Sequence, residues 1–485
     1  MSSFSKVALS AVLITYFFVG IDFSKKQGFW HDEIYTLTFL KGVSIYVFSG
    51  GVWKNQDGIY EVNHFKRLLA ADHFYANLKT QILHEGHPPL YFLLLKAWSY
   101  VFGCSELALR SFSLSCGILS FIVLFTLFRR KAKHWYTSWG VLFMLVFNPF
   151  LFYFFTEARM YALSFLFACI CFTYWFDYQK ERKLMSRSFL FFCISSICLL
   201  YTHYYGLFFL SSLGLLELFK FGFKRTLLYN LIAFAFFIPW CIVLRQQLIL
   251  HDVHWTDGII SFGESIQGYL NGIAQLLISP SADLKKYELI GIIFIFIFLL
   301  MYLFKARRKA ACYLLFTFLF YGIQIYLFDQ ITGHHSILVS RYYMFLLLFI
   351  YWGIYKLFDE IYRFQSLALF FSYSIFAAAS LFQVLRLERA PKQMFREVAT
   401  YIDRDFDPKK NMIVIEPKGP LLVGLAYYLQ RNFVLVSAEK AQINSYSSPV
   451  YVDEMLGLSN FENKFHNDLQ KELHLVPFVG VFLYR

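Results

Sequence analysis

The chain has 485 residues, of which 58% are hydrophobic, 21% aromatic and 16% charged. A soluble globular domain carries roughly 45–50% apolar and about 25% charged residues, so a water-soluble enzyme or scaffold is excluded. The formal charge of +13 invites a nucleic-acid partner. The distribution argues for no nucleic acid, because the basic residues fall in short clusters between apolar runs.

Those clusters are Arg129-Arg130-Lys131 with Lys133, residues 180–187, Lys220 with Lys224-Arg225, and residues 305–309. They match the lysine and arginine excess of cytoplasmic loops, with membrane lipids of negative charge as a second attraction. Residues 7–19 follow a lysine and carry no small-residue cleavage site after them, so they read as a retained first span. About eleven stretches then approach the length needed to cross a bilayer: 7–21, 106–128, 135–155, 158–176, 188–201, 204–219, 227–244, 287–304, 311–328, 342–358 and 365–385.

Residues 88–102 are the exception. They are short and open with two prolines. If they crossed, every later basic cluster would move to the outer side. Lying along the interface as a helix, with Trp98 and Tyr100 at the headgroups and Lys96 snorkelling, they keep all of those clusters inside. The N-terminus is then cytoplasmic, residues 22–105 form a long first outer loop and 245–286 a second. The C-terminus falls on the periplasmic or other non-cytoplasmic side. From about residue 386 the pattern changes to a small α/β domain. There an amphipathic helix is expected at 393–404, a β-branched run at 411–415, a helix at 421–430, and strands at 433–436 and 479–483. The domain division is thus 1–385 and 386–485, and the fold class is an α-helical polytopic membrane protein with a small C-terminal α/β extramembrane domain. The eight cysteines lie in apolar segments, without a metal-type pair, and read as small buried residues.

Five features could carry chemistry, and all fall on the outer face by parity. Asp32 and Glu33 follow Phe29-Trp30; a carboxylate there can act as a general base, help ligate a divalent cation, or merely cap a helix from Glu33 onward. In His84-Glu85-Gly86-His87-Pro88-Pro89 the two prolines start the interfacial helix and hold His87 at a fixed height. There it can bind an acceptor, move a proton or hold a metal. Thr156-Glu157-Ala158-Arg159-Met160-Tyr161 places a Glu and an Arg at the mouth of an apolar helix, where they need partners or a polar cavity. Two further outer turns are Tyr201-Thr202-His203-Tyr204-Tyr205-Gly206, and His334-His335 with Arg341-Tyr342-Tyr343; Arg341 there can neutralise a phosphate. A plain reading of each alone is a solvated loop or an aromatic belt. Their convergence on one face is the informative part.

The order Trp30-His31-Asp32-Glu33, His87-Pro88-Pro89-Leu90-Tyr91, Phe102-Gly103 with Ser105-Glu106-Leu107-Ala108-Leu109-Arg110, then Glu157-Ala158-Arg159-Met160-Tyr161-Ala162-Leu163 resembles the GT-C glycosyltransferases. It is closest in pattern to the bacterial branch akin to protein O-mannosyltransferases and the lipid A aminoarabinose transferase. That resemblance implies an inner-membrane enzyme which takes a sugar from a polyprenyl phosphate and transfers it on the periplasmic face to a glycan, lipid or protein acceptor. It implies Asp32 as catalytic base with Glu33 beside it. His87, Glu157, Arg159, Tyr161, His203, Arg341 and Tyr342 are the expected substrate contacts. A divalent cation (Mg or Mn) on Asp32, Glu33 and His87 is a further expectation. An acid-Lys-Pro of the aminoarabinose branch is absent; Gly86-His87-Pro88 stands there, leaving the phosphate to Arg341 or Arg159. The rival reading is a transporter or flippase of a lipid-linked sugar, which would call for mid-bilayer charges and a repeat; neither is evident.

Overall fold

The computed structural model describes residues 3–43, 59–181, 186–221, 223–250, 260–277, 308–361, 394–415, 419–437, 450–453, 475–478 and 481–484. They fall into two compact units. One comprises residues 1–21, 86–91 and 110–388, the other 22–85, 92–109 and 389–485.

The first unit is helical. Among the described residues four helices are long and apolar enough to cross a membrane: Ser5–Lys25, Glu106–Lys131, Tyr161–Glu181 and Leu314–Thr332. A fifth span results if Trp135–Val146 and Pro149–Phe155, bent by 58°, are counted as one. The protein is an α-helical polytopic membrane protein. Of the other stretches expected to span, 188–201, 204–219 and 342–358 appear as the shorter apolar helices Arg187–Leu200, Gly206–Phe219 and Leu346–Lys356. The stretch 227–244 lies within helix Phe223–Leu250, which carries Pro239 inside it. Those at 287–304 and 365–385 lie outside the described residues.

The bend was not expected from the hydropathy of 135–155. Its cause is local: Pro149 has no N–H to continue the ladder, and Asn148 starts a new helix by accepting from the Leu151 N–H at 2.8 Å. The Asn148 amide then donates to the Leu276 carbonyl (2.9 Å) and the Tyr351 hydroxyl (3.0 Å). A buried polar side chain is thereby satisfied on both ends. Tyr16 anchors the first helix edge-on to Phe121 and Phe152, with ring centroids at 5.1 and 5.4 Å, a favoured aromatic geometry.

The second unit holds a six-stranded sheet in the order β1-β3-β2-β4-β6-β5. The strands are β1 (Ile59–Glu61), β2 (Met412–Ile415), β3 (Val434–Ser437), β4 (Val450–Asp453), β5 (Leu475–Phe478) and β6 (Val481–Tyr484). Strand β2 runs parallel to both β3 and β4. All four of its residues are buried, as suits a central strand covered on both faces. Helix Gly419–Tyr428 provides the crossover that a parallel β2–β3 pair requires. Helix Phe395–Asp405 buries Phe395, Val398, Ala399 and Ile402, the spacing of one helical face. The expected strands at 433–436 and 479–483 correspond to β3 and β6, while β1, β4 and β5 were not foreseen. β1 is the surprise, since it comes from the first loop and pairs antiparallel with β3, Ile59 opposite Val436 and Glu61 opposite Val434.

The rest of the first loop belongs to the same unit. Helix His31–Lys41 ends at Gly42, whose φ of 67° is left-handed; a β-carbon there would meet the His73 carbonyl oxygen at 2.3 Å. Only glycine serves at this position. Helix Leu90–Phe102 forms where an interfacial helix was expected, but Lys96 does not snorkel. Its ammonium is buried and binds both oxygens of Asp72 (2.9 and 2.8 Å) and the Leu40 carbonyl (3.0 Å). A counter-charge and an acceptor were available, so burial with partners replaced an excursion to water. Glu106 is likewise held by Arg396 at 3.2 Å and by the Tyr428 hydroxyl.

Candidate functional site

Several turns of the helical unit meet around His203. Pro88 and Pro89 cannot donate, so the first available N–H after them is that of Leu90, and it binds the Tyr201 carbonyl at 3.0 Å. That bond ties the Gly86–Tyr91 segment to the turn between helices Arg187–Leu200 and Gly206–Phe221, setting the His87 ring 5.8 Å from that of His203. Tyr161 and Tyr342 stand at 5.9 Å from the same imidazole. Tyr205, which the sequence reading had only as part of a turn, stacks on Tyr342 at 4.0 Å.

Glu157 and Arg159 do not enter a helix, as was expected; they sit in the irregular link 156–160 ahead of helix Tyr161–Glu181, and both are buried. The link is fixed by its backbone. Ser113 donates to the Arg159 carbonyl at 3.3 Å, and the Tyr91 hydroxyl lies 3.4 Å from the same Ser113 oxygen. Arg341 and Tyr342 lie in a short 3-10 turn, Ser340–Tyr343, rather than at the start of a span. Asp329 holds the preceding segment by accepting from the Ile337 N–H at 2.7 Å, and Tyr321 donates to the Tyr342 carbonyl at 2.8 Å. Helix Phe262–Leu277 admits this segment because Gly268 and Gly272, one turn apart, leave room for Leu338 and Tyr343. The Arg341 guanidinium lies 5.7 Å from the ring centres of both Tyr161 and Tyr342, within cation–π range. Asp329 and Tyr205 were legible only as residues, not as partners, because both act through contacts distant in sequence.

His203 gives the cluster its chemistry. The Tyr205 N–H donates to its Nδ1 at 3.2 Å, so a neutral imidazole here carries its proton on Nε2. Burial, reinforced by the charges of His87, Arg341 and Arg159, holds its pKa well below the ordinary 6.5; the ring is neutral at pH 7. Nε2 is buried and has no hydrogen-bond partner among the described residues. A donor N–H, two guanidiniums and two phenols, with Tyr161, Arg159 and Glu157 buried and His87, Arg341 and Tyr342 half-exposed, make a site suited to an oxyanion.

Asp32 and Glu33 belong to the other unit. Helix His31–Lys41 begins two residues earlier than a cap at Asp32 would require, its cap being Trp30. Glu33 is fully buried and accepts from the Trp30 N–H at 3.3 Å, the return bond of a helix N-terminus. Asp32 is half-exposed. His87 lies in the first unit, and within each unit no three His, Cys, Asp or Glu among the described residues converge as a metal-holding group.

A polytopic helical membrane protein with a small α/β domain and an oxyanion-type cluster at turns of its helical unit is the class that fold and site define. Neither a family model nor a curated protein matches the chain. It is similar to two solved structures of ArnT from Cupriavidus metallidurans, one bound to undecaprenyl phosphate and one in the apo state. Identities are 11% and 12% and TM-scores 0.45 and 0.44, each comparison covering 100% of this chain and 98% of the other. So slight an overlap carries no argument about activity.

Proposed function

We propose that the protein transfers a sugar from a polyprenyl-phosphate carrier to an acceptor hydroxyl at the non-cytoplasmic membrane face. The observation that carries this reading is the buried Nε2–H of neutral His203, set among Arg159, Arg341 and two tyrosines. A neutral donor beside two fixed cations favours a phosphate oxygen over a neutral or cationic ligand.

In this mechanism Asp32 keeps the role of base that the sequence resemblance implies, taking the proton of the acceptor hydroxyl while its oxygen attacks the anomeric carbon. The bond from that carbon to the phosphate oxygen breaks, its electron pair leaves on the lipid phosphate, and the configuration inverts. Arg159, Arg341 and His203 meet the charge that develops on the leaving phosphate. A phosphate leaving group needs no general acid. Asp32 is assigned as base ahead of Glu33 because the Glu33 carboxylate is committed to its own helix terminus. Glu33 then acts as a positioning residue. A divalent cation is an accessory in this proposal, and no step depends on it.

The test is sugar transfer from a panel of radiolabelled polyprenyl-phosphate sugars in reconstituted membranes. Asp32→Asn is expected to lose at least a hundredfold in rate with donor binding retained; a variant at full activity overturns the base assignment. A chelator arm decides the cation. Movement of an intact lipid-linked sugar without transfer would overturn the enzyme reading itself.

A further inference from the structure

A second polar feature of the helical unit lies outside the cluster just described. The helix ends at Lys131 and Lys180, with Lys356 of helix Leu346–Ile361, surround a cavity of about 280 Å³. Its remaining walls are largely aromatic, including Phe176, Trp352 and Tyr355. Phe176 stacks on Trp352 at 5.8 Å. The ammonium of Lys131 lies 5.7 Å over the Phe176 ring, and that of Lys356 lies 5.1 Å over Tyr355. Asp177 supplies a counter-charge at the rim, 2.8 Å from Arg130 and 3.6 Å from Lys131.

Three ammonium groups lining one cavity with largely aromatic walls suit an anionic ligand. The position says what kind. Tyr161, beside His203, and Gln179, on the cavity wall, belong to one helix, Tyr161–Glu181. Eighteen residues at 1.5 Å rise separate them by about 27 Å, close to the roughly 30 Å thickness of the hydrocarbon core. The cavity therefore stands at headgroup depth on the membrane face opposite the His203 cluster. Leu127 and Phe128 continue its wall into the apolar part of helix Glu106–Lys131.

We propose that this cavity binds the phosphate headgroup of an anionic phospholipid from the leaflet opposite the His203 cluster, with Lys131, Lys180 and Lys356 on the phosphate and the aromatic wall against the glycerol and upper acyl chain. Basic pockets between membrane helices are a recurrent form of headgroup recognition. The aromatic lining distinguishes a lipid from a soluble phosphate, for which such a wall has no use. The site is independent of the transfer reaction proposed above and would stand if that reading fell.

The test uses the full-length chain in detergent micelles, titrated with phosphatidylglycerol or phosphatidylcholine. Trp352 fluorescence is taken as the difference between wild type and Trp352→Phe, and retained lipid is counted by native mass spectrometry. Phosphatidylglycerol is expected to bind at least tenfold tighter than phosphatidylcholine. Lys131→Gln/Lys180→Gln/Lys356→Gln should abolish that preference, and the corresponding triple arginine variant should keep it. Equal binding of the two lipids by wild type overturns the proposal without recourse to any variant, should the glutamine protein fail to fold. Glycerol 3-phosphate binding as tightly as phosphatidylglycerol also overturns it, in favour of a soluble anion.

Discussion

At the scale of single residues, the decisive fact is which nitrogen of His203 holds the proton, and a backbone N–H two residues on decides it. By counting spans, the sequence groups this histidine with His87, Tyr161, Arg341 and Tyr342 as an expectation of one shared face. It could not show that Tyr205 would fix the tautomer or that Asp329 would hold the 336–343 segment, because neither bond has a sequence signature. His203→Phe keeps the ring and removes the donor. A lost hydrogen bond to a charged group is worth about 1.5–3 kcal/mol, so binding of a polyprenyl phosphate, measured by equilibrium titration, should weaken by roughly ten- to a hundredfold. The pH dependence has a definite sign. His203 has a folded pKa below its unfolded value of about 6.5, so below that pH the unfolded chain takes up a proton that the folded chain refuses. Its contribution to stability is full above pH 6.5 and is lost as pH falls toward the folded pKa. Apparent unfolding midpoints between pH 5 and 8 should fall less steeply with acidity in His203→Phe than in wild type.

Among the elements, helices were legible and strands mostly were not. Helix Phe395–Asp405 announces itself by Phe395, Val398, Ala399 and Ile402 on one face. β1, β4 and β5 have three or four residues each, too few for alternation to rise above chance. Their existence depends on partners that the local sequence does not contain. Helix Leu90–Phe102 shows the other kind of failure. Its position was readable, yet Lys96 was read as a residue reaching for water because Asp72, 24 residues earlier, looked like an ordinary loop acid. Lys96→Met should destabilise by about 1–3 kcal/mol, chiefly by leaving the Leu40 carbonyl and Asp72 without their donor. A double-mutant cycle with Asp72→Asn, followed by thermal unfolding, is expected to show coupling above about 0.5 kcal/mol; strict additivity would mean that the pair is incidental.

For the whole molecule, composition pointed to the membrane class and the basic clusters suggest an orientation, which gives a direct expectation. Alkaline phosphatase fused after Arg485 should be active, as an enzyme that matures only outside the cytoplasm, and the same reporter fused after Glu181 should not. Reversed activities would turn the chain over and move the His203 cluster to the cytoplasmic face. The sequence suggested a break near residue 386, whereas the α/β unit also draws on 22–85 and 92–109, a grouping that only the sheet makes visible. That sheet has a consequence for biosynthesis. Asn63, next to β1, hydrogen-bonds Asn432, 369 residues later. At about 5–20 residues per second, the first loop is synthesised roughly 20–75 s before the strand that receives it has been made. For that interval β1 lacks the strand it will pair with, and its shortness and the charge of Glu61 are features that limit wrong pairing at an open strand edge.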